Sequence, residues 1–193
     1  MFECRHQPIV LQDTAIAALA EAYGQPHRAY HTATHIAEVL GWYDRVADDV
    51  GWAAPVDVYL AIVFHDAIYV AGAKDNEARS AAWARVEGCS DRTAEMIELT
   101  ARHGGLVPGD VDDETARFLD CDMAILGSDP PAFAAYDAAI AIEYRAVPVE
   151  AYRAGRRAFL AGVLAKPRIF LSDYFHTRLD AAARANLAAA LTT

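Results

Sequence analysis

PVDVYLAIVFHDAIY, residues 55–69, decides how the rest of the chain is read. Positions 58 to 64 are all apolar, and the run then stops on His65 and Asp66. Pro55 suits the first turn of a helix, where its missing N–H costs nothing. A helix that is apolar on every side belongs inside a core. The run is far shorter than the ~20 residues needed to cross a bilayer. A carboxylate at the end of such a helix is costly without a partner. His65-Asp66 is therefore where chemistry is first expected.

Outward from this stretch, punctuation divides the chain into helical segments. Residues 12–23 form an amphipathic stretch ended by Gly24 and Pro26, and Thr32 caps a second helix through Ile36, Val39, Leu40 and Tyr43. Asp75 is expected to cap a fourth helix and Ser90 to precede a fifth, which stops at Gly104-Gly105. Asp112, Asp129-Pro130-Pro131, Pro148 and Ser172 open four more, the last reaching Leu191. No useful stretch alternates with period two, no internal repeat is visible, and the clearest loop, GGLVPGDV at 104–111, is too short for a domain linker. Abundant alanine and short Val/Ile/Thr runs point the same way. The expectation is one all-α domain spanning 1–193, its core built from 54% hydrophobic residues.

The formal net charge is −10, with no Lys/Arg-rich stretch, which argues against duplex DNA or RNA as a partner. A small phosphorylated ligand stays open, because a bound divalent cation can dominate the local field. Cys4, Cys89 and Cys121 are scattered and odd in number, so they form no disulfide framework. Free thiols and a start without a secretory pattern make a cytoplasmic location the expectation, with no membrane association.

Residues with ligand chemistry fall in apolar settings. His31 and His35 are four apart and share a helix face or its entry turn. Asp120 and Asp122 flank Cys121 in FLDCDMAIL. Imidazole and carboxylate together suit a divalent transition metal. Each feature alone also fits a hydrogen-bonded core histidine or an aspartate that caps a helix.

Taken in order, His35, then FHDAIY with His65-Asp66, then CDM with Asp122 resemble the HD superfamily of metal-dependent phosphohydrolases. The resemblance extends to a small bacterial group of HD phosphohydrolases. It is carried by PHRAYHTATHI (26–36), DNEARSA (75–81), FLDCDMAILG (118–127) and EYRAVPVEAYRAGR (143–156), and it covers about residues 19–190. It implies an HD-domain-like helical bundle whose metal is held by His35, His65, Asp66 and Asp122. Asp120 is the alternative fourth ligand. The ion implied is divalent: Mn, Mg, Co, Zn, Ni or Fe. Asp66 is also implied to orient the attacking water.

Three further assignments surround this set. Glu77 is the candidate general base or leaving-group acid, set against a first-turn glutamate that merely favours the helix dipole. Arg28 is the candidate clamp for substrate phosphate, set against a structural salt bridge. His31 and His103 complete the expected substrate-binding group, although a histidine at 103 also suits a helix C-terminus. The function expected is hydrolysis of a phosphomonoester or phosphoanhydride of a small metabolite, with a nucleotide as the first candidate. Two alternatives are a di-iron oxygenase on the same fold and a non-catalytic helical module stapled by its metal.

Overall fold

The computed structural model describes residues 2–192. Their regular structure is entirely helical, with no strand among the described residues. No described helix is long and apolar enough to cross a membrane. The residues group into two compact units, one up to His103 and one from Gly104 onwards.

The first unit holds α1 (Asp13–Tyr23), α2 (Ala33–Asp49), α3 (Pro55–Phe64), α4 (Asn76–Val86) and α5 (Asp91–Thr100). Its centre is α3, which packs against α2, α4 and α5. Every residue of α3 from Val58 to Phe64 is buried, as an all-round apolar helix requires. Pro55 occupies its first turn. Thr32 caps α2 by accepting from Thr34 N, and Ser90 caps α5 by accepting from Thr93 N. The amino-terminal segment lies against the same core. Asp44 on α2 accepts from the main-chain N–H groups of Arg5 and His6, both at 2.9 Å, and Tyr59 donates to the Phe2 carbonyl at 2.7 Å.

Two local expectations are corrected. Asp75 precedes α4 but its side chain caps nothing; Asn76 fastens the helix instead. Its amide accepts from Val70 N and donates to Val70 O, both at 3.0 Å, so both main-chain groups of one loop residue are satisfied at once. Ser80, one turn on, accepts from Ile68 N at 3.0 Å. The fifth helix ends at Thr100, before the expected Gly104-Gly105 stop, which lies in the turn that follows at 101–105.

The second unit holds α6 (Asp113–Met123), α7 (Pro130–Glu143), α8 (Val149–Leu164) and α9 (Asp173–Thr192), with 3-10 turns at Ala124–Gly127 and Tyr144–Ala146. Asp112 accepts from Glu114 N and Thr115 N, and Asp129 from Ala132 N, so both residues expected to open these helices cap them. The long α9 packs on α6, α8 and the first 3-10 turn. Asn186 on α9 donates to the carbonyls of Leu126 and Ser128, both at 2.9 Å. Arg184 gathers the α8–α9 connection by donating to Leu164, Lys166 and Pro167 carbonyls.

That packing leaves no room at Gly127. A Cβ there would stand 2.7 Å from Leu179 Cβ and 3.0 Å from the Leu179 carbonyl oxygen. Gly127→Ala is therefore expected to destabilise by about 1–3 kcal/mol, the usual cost of overpacking. In a thermal melt this reads as roughly 2–4 °C lost per kcal/mol. An unchanged melting temperature would show that α9 shifts freely over the turn.

Candidate metal centre

His65 ends α3 and Asp66 follows it, so both side chains leave the helix where its last carbonyls need donors. His65 Nδ1 lies 2.8 Å from the carbonyl oxygen of Ile62. A carbonyl can only accept, so Nδ1 carries the hydrogen and donates. Nε2 is thereby turned towards the site. It stands 3.0 Å from Asp66 Oδ2 and 3.3 Å from His35 Nε2, and His35 Nε2 is 3.5 Å from Asp66 Oδ2. His35 reaches this point from the first turn of α2, placed by the Thr32 cap.

These three residues form the one group of metal-type donors, among the described residues, whose ligand atoms all lie within 4.8 Å of one another. The two histidines are 1% and 2% exposed, and the Asp66 side chain 16%. The carboxylate is thus the edge of the group nearest solvent. Burial alone would raise the Asp66 pKa, but His65, His31 and His35 together hold it well below the usual carboxylate range. It is an anion at any physiological pH.

Aromatic rings wall the group. The Tyr30 ring lies 4.6 Å from that of His35. His31 stacks on Tyr69 with centroids 4.1 Å apart, and its ring is edge-on to His35 at 5.9 Å. His31 therefore neighbours the trio, as the four-residue spacing anticipates. His27, for which the sequence offers no argument, sits with Nε2 2.9 Å from the Tyr69 carbonyl. Tyr30 and Tyr69 likewise have no sequence argument behind them. The available signal was that each ligand segment, PHRAYH and HDAIY, carries a tyrosine close to its histidine or aspartate.

Arg28 differs from its expected use. The residue is 7% exposed, and its fork faces inward. Nη1 donates to the carbonyls of His31 at 3.0 Å and Asp66 at 2.7 Å, Nη2 to Ala67 O at 2.9 Å, and Nε to Gln25 Oε1 at 3.3 Å. The guanidinium also lies over the rings of Tyr23 and Tyr69. It is engaged with main-chain oxygens rather than held out for a phosphate.

Glu77 stands in the first turn of α4, half-buried, beside the Asn76 clasp. It is outside the trio, as are His31 and His103. His103 lies in the turn after α5, its main-chain N–H 3.4 Å from Thr100 O.

In the second unit the two neighbouring aspartates divide. Asp120 is buried and accepts from Leu171 N at 2.8 Å, Ser172 N at 2.7 Å and Ser172 Oγ at 2.6 Å. Burial pushes it up to about 6 against those three donors. These three hydrogen bonds all serve the start of α9. Asp122 is only partly buried, and its charge is felt by Cys121 and Tyr136. Burial raises the thiols of Cys4 to about 12 and Cys89 to about 11, and that of Cys121 well above its ordinary value, so none is a thiolate at neutral pH.

Comparison with models of known families, with curated proteins and with solved structures finds no match to this chain.

The division between the aspartates is open to measurement without any ligand. Asp120→Asn places an amide against groups that all donate, and it should cost about 1–3 kcal/mol of stability in a denaturant or thermal melt. Asp122→Asn, at a carboxylate that makes no hydrogen bond to Leu171 or Ser172, should cost less than Asp120→Asn in the same melt. Equal losses would show that both aspartates are structural.

Proposed function

We propose that this protein is a metal-dependent phosphohydrolase acting on a small phosphorylated metabolite, with a nucleotide as the first substrate to try. One observation supports it above the rest: two buried imidazole nitrogens and a carboxylate oxygen converge at 3.0–3.5 Å. With the His65 hydrogen held by Ile62 O, the Nε2 lone pair faces an anion. Those two groups repel unless a hydrogen, such as one on His35 Nε2, or a metal ion lies between them. Donors bound about 2.0–2.2 Å from a single ion stand roughly 3.0–3.5 Å apart, so the spacing suits a metal. Two histidines and a carboxylate on one side also leave positions open on the other.

His35, His65 and Asp66 would hold the ion. Asp122 is the proposed fourth ligand from the sequence order, and the three hydrogen bonds on Asp120 argue against that alternative. A bound divalent cation supplies acidified water and polarises a phosphoryl oxygen. His65 contributes a fixed orientation through Ile62, and Asp66 keeps its charge and accepts from water at the solvent edge. Glu77 is the proposed proton carrier, placed on the helix after the His-Asp pair. The phosphate-ester substrate class rests on the resemblance of the ordered segments to HD phosphohydrolases. The net charge of −10 favours a small ligand brought in with a cation over a nucleic-acid duplex.

Purified protein loaded with Mn²⁺, Co²⁺ or Mg²⁺ is expected to release phosphate from at least one member of a nucleotide and sugar-phosphate panel. Silence with every metal would refute the hydrolase reading. Two irons per chain with oxygen consumption would replace it with an oxygenase. Metal content should be lost in His65→Ala, Asp66→Ala and Asp122→Asn, and kept in Asp120→Asn, as measured by elemental analysis. In Glu77→Gln the metal should stay while turnover falls roughly a hundredfold, and one limb of the pH–rate profile should disappear. Normal turnover in that variant would remove Glu77 from the chemistry.

A further inference from the structure

We infer that Arg28 is the positioning residue that sets the geometry of the metal centre, acting through main chain rather than through substrate. The inference rests on the proposed metal site and adds a determinant that the ligand set does not contain.

The centre is assembled from two segments far apart in sequence. One is 25–35, which leads through His31 into His35; the other is 62–69, which carries His65 and Asp66. The guanidinium is the point at which they are tied. From one side it takes the His31 carbonyl and Gln25 Oε1. From the other it takes the carbonyls of Asp66 and Ala67. Adjacent carbonyls accepting from one rigid fork fix the peptide plane between Asp66 and Ala67, and with it the direction in which Asp66 leaves the backbone.

Two further contacts make the tie stiff. Tyr69 meets both the guanidinium, 5.6 Å from its ring centre, and His31, stacked on it at 4.1 Å. His27, next to Arg28, meets the Tyr69 carbonyl. The 66–69 turn is therefore gripped along its length by the segment that delivers His31 and His35. A lysine in the same place keeps the charge but lacks the planar pair of donors, so it cannot hold two carbonyls at a set angle. Neighbours that orient ligands in this way typically change metal affinity by ~10–100-fold when removed.

The test uses the full-length protein titrated with Co²⁺, whose visible spectrum reports ligand geometry independently of turnover. Parent protein should bind Co²⁺ and show a d–d spectrum. Arg28→Ala and Arg28→Lys should retain cooperative melting in the presence of chelator, bind Co²⁺ roughly 10–100-fold more weakly, and give a shifted spectrum. Methylguanidinium added to Arg28→Ala should move both readings back towards the parent. Should Arg28→Ala fail to fold, Arg28→Lys alone decides. A parent-like dissociation constant and spectrum in the folded variants would overturn the inference while leaving the metal site intact. No Co²⁺ binding by the parent protein would overturn the metal site and this inference together.

Discussion

The hydrogen bond from His65 Nδ1 to the Ile62 carbonyl is the constraint on which the rest of the site depends. α3 is buried along its whole apolar run, so its last carbonyls need protein donors. His65 answers that need with one ring nitrogen, and in doing so directs the other into a space shared with His35 and Asp66. Completing the helix and creating the site are one act. The negative end of the α3 dipole points the same way, towards an arrangement completed by a positive charge.

Two imidazoles and a carboxylate from separate segments stay together only where other groups hold those segments in place. In this chain the holding is done by main-chain oxygens and aromatic faces around a buried guanidinium, with Tyr23 and Tyr69 on its flanks. Asn76 and Ser80 perform the equivalent tether from α4, again on main-chain groups of Val70 and Ile68.

What was legible in the sequence, and what was not, follows from these interactions. Helix entries marked by Thr32, Ser90, Asp112 and Asp129 were readable, because a short side chain satisfying N–H groups two or three residues on is a local event. Burial of α3 was readable from an apolar run with no polar face. Asp75 misled, since the neighbouring Asn76 has both a donor and an acceptor and one loop residue needed both. For Arg28 the sequence leaves two uses open, a clamp on phosphate, which arginine's fork fits, and a structural salt bridge. Its actual partners are backbone carbonyls, which look alike at every position of a sequence and so leave no trace in it. The His31–His35 face and the His65-Asp66 pair were visible through spacing, whereas the rings of Tyr30 and Tyr69 beside them required the fold.

The pair Asp120 and Asp122 shows how a repeated residue type separates into two roles. Residues two apart on a helix point roughly 200° from each other, so a single helix face cannot use both. One direction from α6 meets the chain as it turns into α9, where Leu171, Ser172 and the Ser172 hydroxyl all arrive as donors. A helix start with several N–H groups to satisfy needs an acceptor of high capacity, and a carboxylate with two oxygens accepts all three. Asp120 therefore belongs to folding. Burial lifts its pKa towards neutrality, yet the donors around it still favour an acceptor over any apolar replacement. Asp122, two residues on, points elsewhere and is less buried. A sequence motif of two aspartates around a cysteine is thus resolved by asking which of them the backbone already requires.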